Sequence, residues 1–456
     1  MNTGPEWLRT PDDVNALVPA LWPANVARGP HGALTVGGLR ADDLAAEFGT
    51  PVYVLDEADL RARCRAFVTA FEDGDVYYAG KAFLSKAVVK IIAEEGLSLD
   101  ACSGGELATA LAAGMDPARI ALHGNNKSES ELRRALDAGV GRIVVDSFDE
   151  IDRLSRLTRG REPAAAGGAP ARPAVLLRLT VGVEAHTHEF TATAHEDQKF
   201  GFSVAGGAAA GAVDKILGEG LLELRGFHSH IGSQIFDTGG FELAARRVVA
   251  LMAAVRDTHG RALPELDLGG GFGIAYTTQD RPATPAELAR SFRVIVAAEC
   301  VAAGLPEPRL SVEPGRAVIG PSMFTLYEVG TVKEVAGLRT YVSVDGGMSD
   351  NIRSALYGAA YSASVAGRRS TAGPILARVV GKHCESGDIL VKDEFLPADI
   401  RPGDLLAVPG TGAYGRSMAS NYNHVPRPAV IAVAGGRARV IVRRETEDDL
   451  LALDVG

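Results

Sequence analysis

A chain of 456 residues is longer than one hydrophobic core of roughly 250–300 residues sustains, so two domains are expected. Apolar residues make up 46% and charged residues 23%, an ordinary globular balance, and the formal net charge is −10. That charge argues against nucleic acid or an anionic membrane as partner, while a local pocket can still hold a small anion. Cys64, Cys102, Cys300 and Cys384 are widely separated, with no CxxC, which excludes a disulfide framework or a structural zinc site. With neither a signal-type N-terminus nor a run of 18 apolar residues, a reduced cytoplasmic setting is expected.

In chain order, the first 48 residues lack a clear rhythm and are expected to contribute to a β domain elsewhere. A helix over 57–71 follows, capped by Asp56, with Leu60, Cys64, Phe67 and Phe71 at helical spacing. From about 75 to 315, β-branched runs alternate with longer periodic segments. Strands are predicted at 75–82, 97–102, 120–123, 143–146, 175–181, 222–231, 266–270 and 310–313. Helices are predicted at 84–95, 105–113, 128–138, 149–158, 207–218, 239–258 and 285–303. Eight strands and eight helices are the count of a closed (β/α)8 barrel over 49–316. The competing doubly wound sheet would need GxGxxG after an early strand, and none is there. The stretch 160–173 reads as a surface insertion.

Beyond 316 the texture changes. Short β-rich segments at 327–333, 340–344, 375–380, 404–408, 429–433 and 437–442 predict an all-β domain over 317–456.

Barrel enzymes keep their sites at the C-terminal ends of the strands. Lys81 ends the first strand, Asp100 and Ser103-Gly104-Gly105-Glu106 follow the second, and His123 ends the third. His228 and His230 lie on the sixth, Gly269–Gly271 end the seventh, and Glu313 ends the eighth. Lys81 has aromatic and small neighbours, which predict an enclosed amine driven toward its neutral form and able to condense with an aldehyde. The glycines after Leu268 let backbone N–H groups converge on a phosphate monoester, although tight barrel turns also need glycine. Glu313 could face a pyridine nitrogen, and Arg316 could clamp a phosphate or carboxylate. His230 could stack on a cofactor ring. A metal cluster involving His186, His188, His195, His228 and His230 is disfavoured, because no compact ligand spacing recurs. In the β domain, polar loops present Arg353, Cys384, Glu385 and Tyr414.

The motifs YYAGKAF, SGGEL, HTHEF…KFGFS, GFHSHIGSQ, LGGGFGI, EPGR, DGGMSDNIRSALYGA, GKHCESGD and GAYGRSMASNYN occur in this order. Over nearly the whole chain the sequence resembles the diaminopimelate decarboxylase family, within the alanine-racemase-type and ornithine-type pyridoxal-phosphate enzymes. The resemblance implies that Lys81 carries pyridoxal 5'-phosphate and His230 stacks on its ring. It places Glu313 against the ring nitrogen, and Ser233, Gly270, Gly271, Gly273 and Tyr414 around the phosphate. It assigns the amino-acid substrate to Arg316, Arg353, Tyr357, Glu385 and Tyr414. Cys384, the expected proton donor, and Glu385 would be supplied by the other subunit of a homodimer. The lysine motif departs from the wider group at its end, where Phe83 replaces the usual asparagine.

The implied reaction converts meso-2,6-diaminopimelate to L-lysine and CO2. Competing expectations are decarboxylation of ornithine, arginine or a carboxylated polyamine. A racemase is disfavoured by the Cys384–Glu385 loop, and a protein that only stores the cofactor by the substrate residues it would not need.

Overall fold

The computed structural model describes residues 5, 7–159, 172–183 and 198–456. Most of the expected insertion, and His186, His188 and His195, lie outside the described residues. The chain forms two units, one of Cys64–Gly273 with Pro282–Gly315, the other of Met1–Arg63, Ile274–Arg281 and Arg316–Gly456.

The first unit is a closed barrel of eight parallel strands: Asp75–Ala79, Ser98–Ala101, Ile120–Leu122, Arg142–Val145, Ala174–Thr180, Glu223–Ser229, Glu265–Asp267 and Arg309–Val312. Each pairs with the next, and the eighth returns to the first through Ser311 opposite Asp75. The strands read as apolar runs because both faces of a parallel barrel strand are covered. Helices Lys86–Glu94, Gly104–Ala112, Glu129–Ala138, Phe148–Arg159, Ala208–Glu219, Gly239–His259 and Pro285–Ala303 follow the first seven strands, near the predicted limits. Their starts are written in the sequence. Ser85, Ser103, Ser128 and Thr284 each cap an N-terminus, the last two in full capping boxes with Glu131 and Glu287.

The first strand is shorter than predicted. It ends at Ala79, and Gly80–Ala82 forms a 3-10 turn that carries Lys81. Gly80 suits this turn, since a Cβ there would come within 3.1 Å of the Asp100 carbonyl.

The second unit contains a mixed sheet in the order Ile389–Pro397, Pro374–Val380, Arg339–Val344, Met323–Val335, Val52–Asp56, Ala429–Ala434, Arg437–Val442. Leu405–Pro409 pairs with Met323–Val335 and with Ser364–Val365. Val52–Asp56, within the stretch expected to form the barrel, is thus a strand of this sheet, antiparallel to Met323–Leu326 and parallel to Ala429–Val433. The earlier strands Val26–Arg28, Leu34–Val36 and Leu39–Arg40 form a small sheet of their own. Leu34, Val36 and Leu44 pack with Trp22, Val52, Phe324 and Ile431 in one core of this unit. No helix among the described residues is long and apolar enough to cross a membrane.

Candidate active site

In the barrel, the ends of strands two, three, six and eight bring four side chains together. His123 Nε2 lies 3.0 Å from Glu313 Oε1 and 3.7 Å from Asp100 Oδ1. His228 Nε2 lies 3.2 Å from Glu313 Oε2, and the two imidazoles meet edge to face at 4.9 Å. All four are buried. Burial works to raise the Glu313 pKa, but His123 and His228 outweigh it and hold the carboxyl well below its ordinary range. Burial likewise opposes the charged form of His123, yet Asp100 and Glu313 lift it above the usual imidazole value. For His228 burial wins, lowering it to about 4. These shifts favour an ionised Glu313 facing a protonated His123, while neutral His228 donates its Nε2–H to the second oxygen. Burial raises Asp100 to about 6 against the pull of His123.

His230 is half-buried, and its Nδ1 accepts a 3.3 Å hydrogen bond from the Gly270 amide. Desolvation first, then Lys81 and Arg178, push its pKa well below the ordinary value, so the ring is neutral with its proton on Nε2. Lys81 is exposed. The amine is therefore not enclosed by this chain alone, while its neighbours Gly80, Ala82 and Phe83 are buried and its charge acts on His230 and Asp100.

The glycine run has packing reasons of its own. A Cβ on Gly269 would sit 2.5 Å from the Ser229 carbonyl, on Gly270 2.2 Å from that of Glu313, and on Gly271 2.3 Å from that of Gly232. Gly269 donates its amide to Asp267, Gly270 to His230 and Gly273 to the Ile235 carbonyl. Gly271 and Phe272 are the amides of the run not spent on those bonds. Ser233 lies half-buried in the loop after the sixth strand.

The second unit gathers another set. Arg316 opens the short helix Arg316–Ile319, and Arg353 opens Arg353–Tyr357, which also carries half-buried Tyr357. Arg316 Nη1 donates to the Tyr276 hydroxyl at 2.7 Å, and its guanidinium stacks 4.7 Å from the Tyr414 ring. Arg353 Nη1 donates to the Tyr361 hydroxyl at 2.6 Å and stacks 4.6 Å from the Tyr276 ring. Arg353 is only 6% exposed, makes no salt bridge among the described residues, and has no hydrogen-bond partner for Nε. Tyr276 and Tyr361 were missed by the sequence reading. Both follow quoted motifs by two residues, and buried tyrosines near two arginines are the signal that could have found them.

Cys384 and Glu385 are exposed and form no hydrogen bond or salt bridge with that cluster. Their loop is tied down beneath. Asp388 accepts from the Met348 and His383 amides, and His383 Nε2 lies 2.8 Å from Ser349 Oγ. The Tyr422 hydroxyl donates to Glu385.

An ionised buried carboxylate, a neutral imidazole, a lysine and a glycine-rich turn, all at the C-terminal ends of parallel barrel strands, define a pyridoxal-binding barrel. Residues 57–320 match the pyridoxal-dependent decarboxylase family, pyridoxal binding domain. The sequence is 57% identical to diaminopimelate decarboxylase of Mycobacterium tuberculosis, over 96% of this chain and 98% of that one. It is 47% identical to the Bacillus subtilis protein of the same name, over 93% and 96%. Among solved structures, diaminopimelate decarboxylase from M. jannaschii in co-complex with L-lysine superposes with a TM-score of 0.87 at 29% identity, covering 96% of this chain and 99% of that one. The chain belongs to the diaminopimelate decarboxylase family.

The barrel residues fit pyridoxal 5'-phosphate. Glu313 Oε1 is buried, ionised and without a hydrogen bond, as the partner of a protonated ring nitrogen should be.

Proposed function

We propose that this chain decarboxylates meso-2,6-diaminopimelate at its D centre, giving L-lysine and CO2, with pyridoxal 5'-phosphate as cofactor. One observation carries the choice of substrate within the class: the buried Arg353 guanidinium, held by two tyrosines, makes no salt bridge among the described residues. A second carboxylate on the substrate would answer that charge. Ornithine and lysine have none to offer.

Bound in the barrel, the cofactor supplies an electron sink for the pair left when CO2 departs. Lys81 would hold it covalently and yield it to the substrate amine. His230 would flank its ring, and Glu313 would keep the ring nitrogen protonated. Ser233 and the turn from Gly270 to Gly273 would take the phosphate with Tyr414, and the Gly271 and Phe272 amides are those that the bonds of the turn leave for it. Arg316, Arg353 and Tyr357 orient substrate. The Cys384 thiol delivers a proton to Cα, with Glu385 beside it. In this reading Cys384 and Glu385 serve the site of the other subunit of a homodimer, and the exposure of both on a braced loop supports it. The enzyme works in the cytoplasm.

The test is to incubate purified protein with pyridoxal phosphate and, separately, diaminopimelate, ornithine, arginine and a carboxylated polyamine, and to identify each product. Lysine from diaminopimelate at a kcat/KM well above the others is expected. Faster release of putrescine or agmatine would overturn the assignment. Borohydride reduction and peptide mapping should place the pyridoxyl mass on Lys81, and label on a different lysine would remove it from that role.

A further inference from the structure

Glu313 does not stand alone in the barrel. Its Oε2 is engaged by His228, but its Oε1 faces His123 at 3.0 Å without a formed hydrogen bond. His123 is in turn 3.7 Å from Asp100 Oδ1, which also lacks a hydrogen bond. The edge-to-face contact with His228 limits how the His123 ring can turn. Three strands therefore contribute to a buried chain of Asp100, His123 and Glu313 that ends on one carboxylate oxygen.

We propose that His123 is a positioning residue for Glu313, fixing the plane of its carboxylate and supplying its positive counter-charge, with Asp100 orienting His123 from behind. This rests on the reading of Glu313 as the partner of the cofactor nitrogen.

The physical case is one of balance. A carboxylate buried in the barrel pays a large desolvation cost unless a cation or donors compensate it. His228 offers one neutral donor to Oε2. Among the described residues the other cations acting on the cluster are Lys81 and Arg178, with Glu106 an added anion beside Asp100, and Arg178 also lies 3.8 Å from Asp146 and over the Phe200 ring. Asp267 and Asp100 add negative potential that favours protonating Glu313. His123, which Asp100 and Glu313 favour in its charged form, faces Oε1 at 3.0 Å. Without it Glu313 would keep only the neutral donor on Oε2 and no facing cation on Oε1, and a protonated Glu313 cannot hold a pyridinium.

The experiment compares His123→Gln, His123→Phe and Glu313→Gln with the parent protein, each reconstituted with pyridoxal phosphate. Far-ultraviolet circular dichroism checks folding. The readouts are the pyridoxal phosphate dissociation constant and the pH dependence of the cofactor absorption band between pH 5 and 9. His123→Phe should weaken cofactor binding by about 10- to 100-fold, as when a partner that orients a ligating group is lost. His123→Gln keeps a donor and should recover most of that affinity, yet still shift the pH dependence of the band, because it carries no charge. Glu313→Gln should alter both affinity and band. If Glu313→Gln leaves both unchanged, the reading of Glu313 fails. If Glu313→Gln alters them while folded His123→Gln keeps the parent's pH dependence, the role given to His123 is overturned, whatever His123→Phe does to stability.

Discussion

The phenol oxygen of Tyr361 accepts a 2.6 Å hydrogen bond from Arg353 Nη1, and the two side chains are buried together. Burial raises the Tyr361 pKa to about 12 even with the arginine beside it, so the phenol stays protonated and accepts through its lone pairs. Tyr361→Phe keeps the ring and deletes the acceptor. A hydrogen bond to a charged group contributes about 1.5–3 kcal/mol, which corresponds to roughly 10- to 150-fold. The loss should fall on kcat/KM for diaminopimelate and spare the weak turnover of substrates with no distal carboxylate. Steady-state kinetics on both substrate types check it, and equal losses would mean that Tyr361 only stabilises the fold.

Removing the arginines themselves should be more severe. Truncating one partner of a buried charge-assisted pair costs roughly 2–5 kcal/mol, or about 30- to 3,000-fold in kcat/KM. Arg353→Ala is expected to lose diaminopimelate selectively. Arg316→Ala should depress all substrates more evenly, because its guanidinium stacks on Tyr414, a candidate for the phosphate region. Measurements at saturating pyridoxal phosphate separate the two outcomes.

A site shared between subunits makes a further expectation. Lys81→Ala and Cys384→Ala homodimers should each be inactive, while mixed and exchanged subunits regain part of the activity through one intact composite site. Size-exclusion chromatography and assay of the mixture test this. Exchange demonstrated by mass spectrometry with no return of activity would end the shared-site proposal.

The His228 environment predicts how stability depends on pH. Its folded pKa is lowered to about 4, below the ordinary imidazole value near 6.5, so between these values the unfolded chain binds the extra proton. The contribution is complete above pH 6.5 and is lost as pH falls toward 4, amounting to about 3 kcal/mol at most. Asp100, raised to about 6, acts with the opposite sign, contributing most at low pH and losing it as pH rises through 6. Comparing thermal melts of the parent and His228→Gln from pH 7 to 4.5 isolates the histidine term. The parent should lose more stability over that interval than the variant, and parallel curves would show that His228 does not titrate as its burial demands.

Much of the barrel was legible because buried parallel strands leave apolar runs and the serine and threonine caps mark where helices begin. Lys81, His230 and Glu313 could be singled out as candidates because barrel enzymes carry their sites at strand ends, where the alternation of segments points, and the structure places all three there. Val52–Asp56 was not assigned to the β sheet, since a five-residue apolar run reads the same whichever sheet covers it. Ile389–Pro397 was overlooked because Lys392, Asp393 and Glu394 interrupt its alternation. The first barrel strand ends at Ala79, three residues before the limit read from the sequence, a detail of turn geometry that neighbouring residue types do not encode. Tyr276 and Tyr361 were hidden for another reason, as their use comes from arginines distant in sequence.

The central place of Val52–Asp56 also bears on how the chain is made. This strand leaves the ribosome early, but its parallel neighbour Ala429–Ala434 lies roughly 370 residues later. At about 5–20 residues per second, synthesis of the intervening stretch lasts on the order of 20–70 s. Val52, Tyr53, Val54 and Leu55, all fully buried in the finished protein, wait with both edges of their strand unpaired until Met323–Leu326 is made, and with one edge unpaired for the rest of that interval. Barrel residues can fold meanwhile from contacts within their own stretch, whereas the sheet closes only near release of the chain. Nascent chains stalled before residue 429 should therefore be the species most dependent on chaperones.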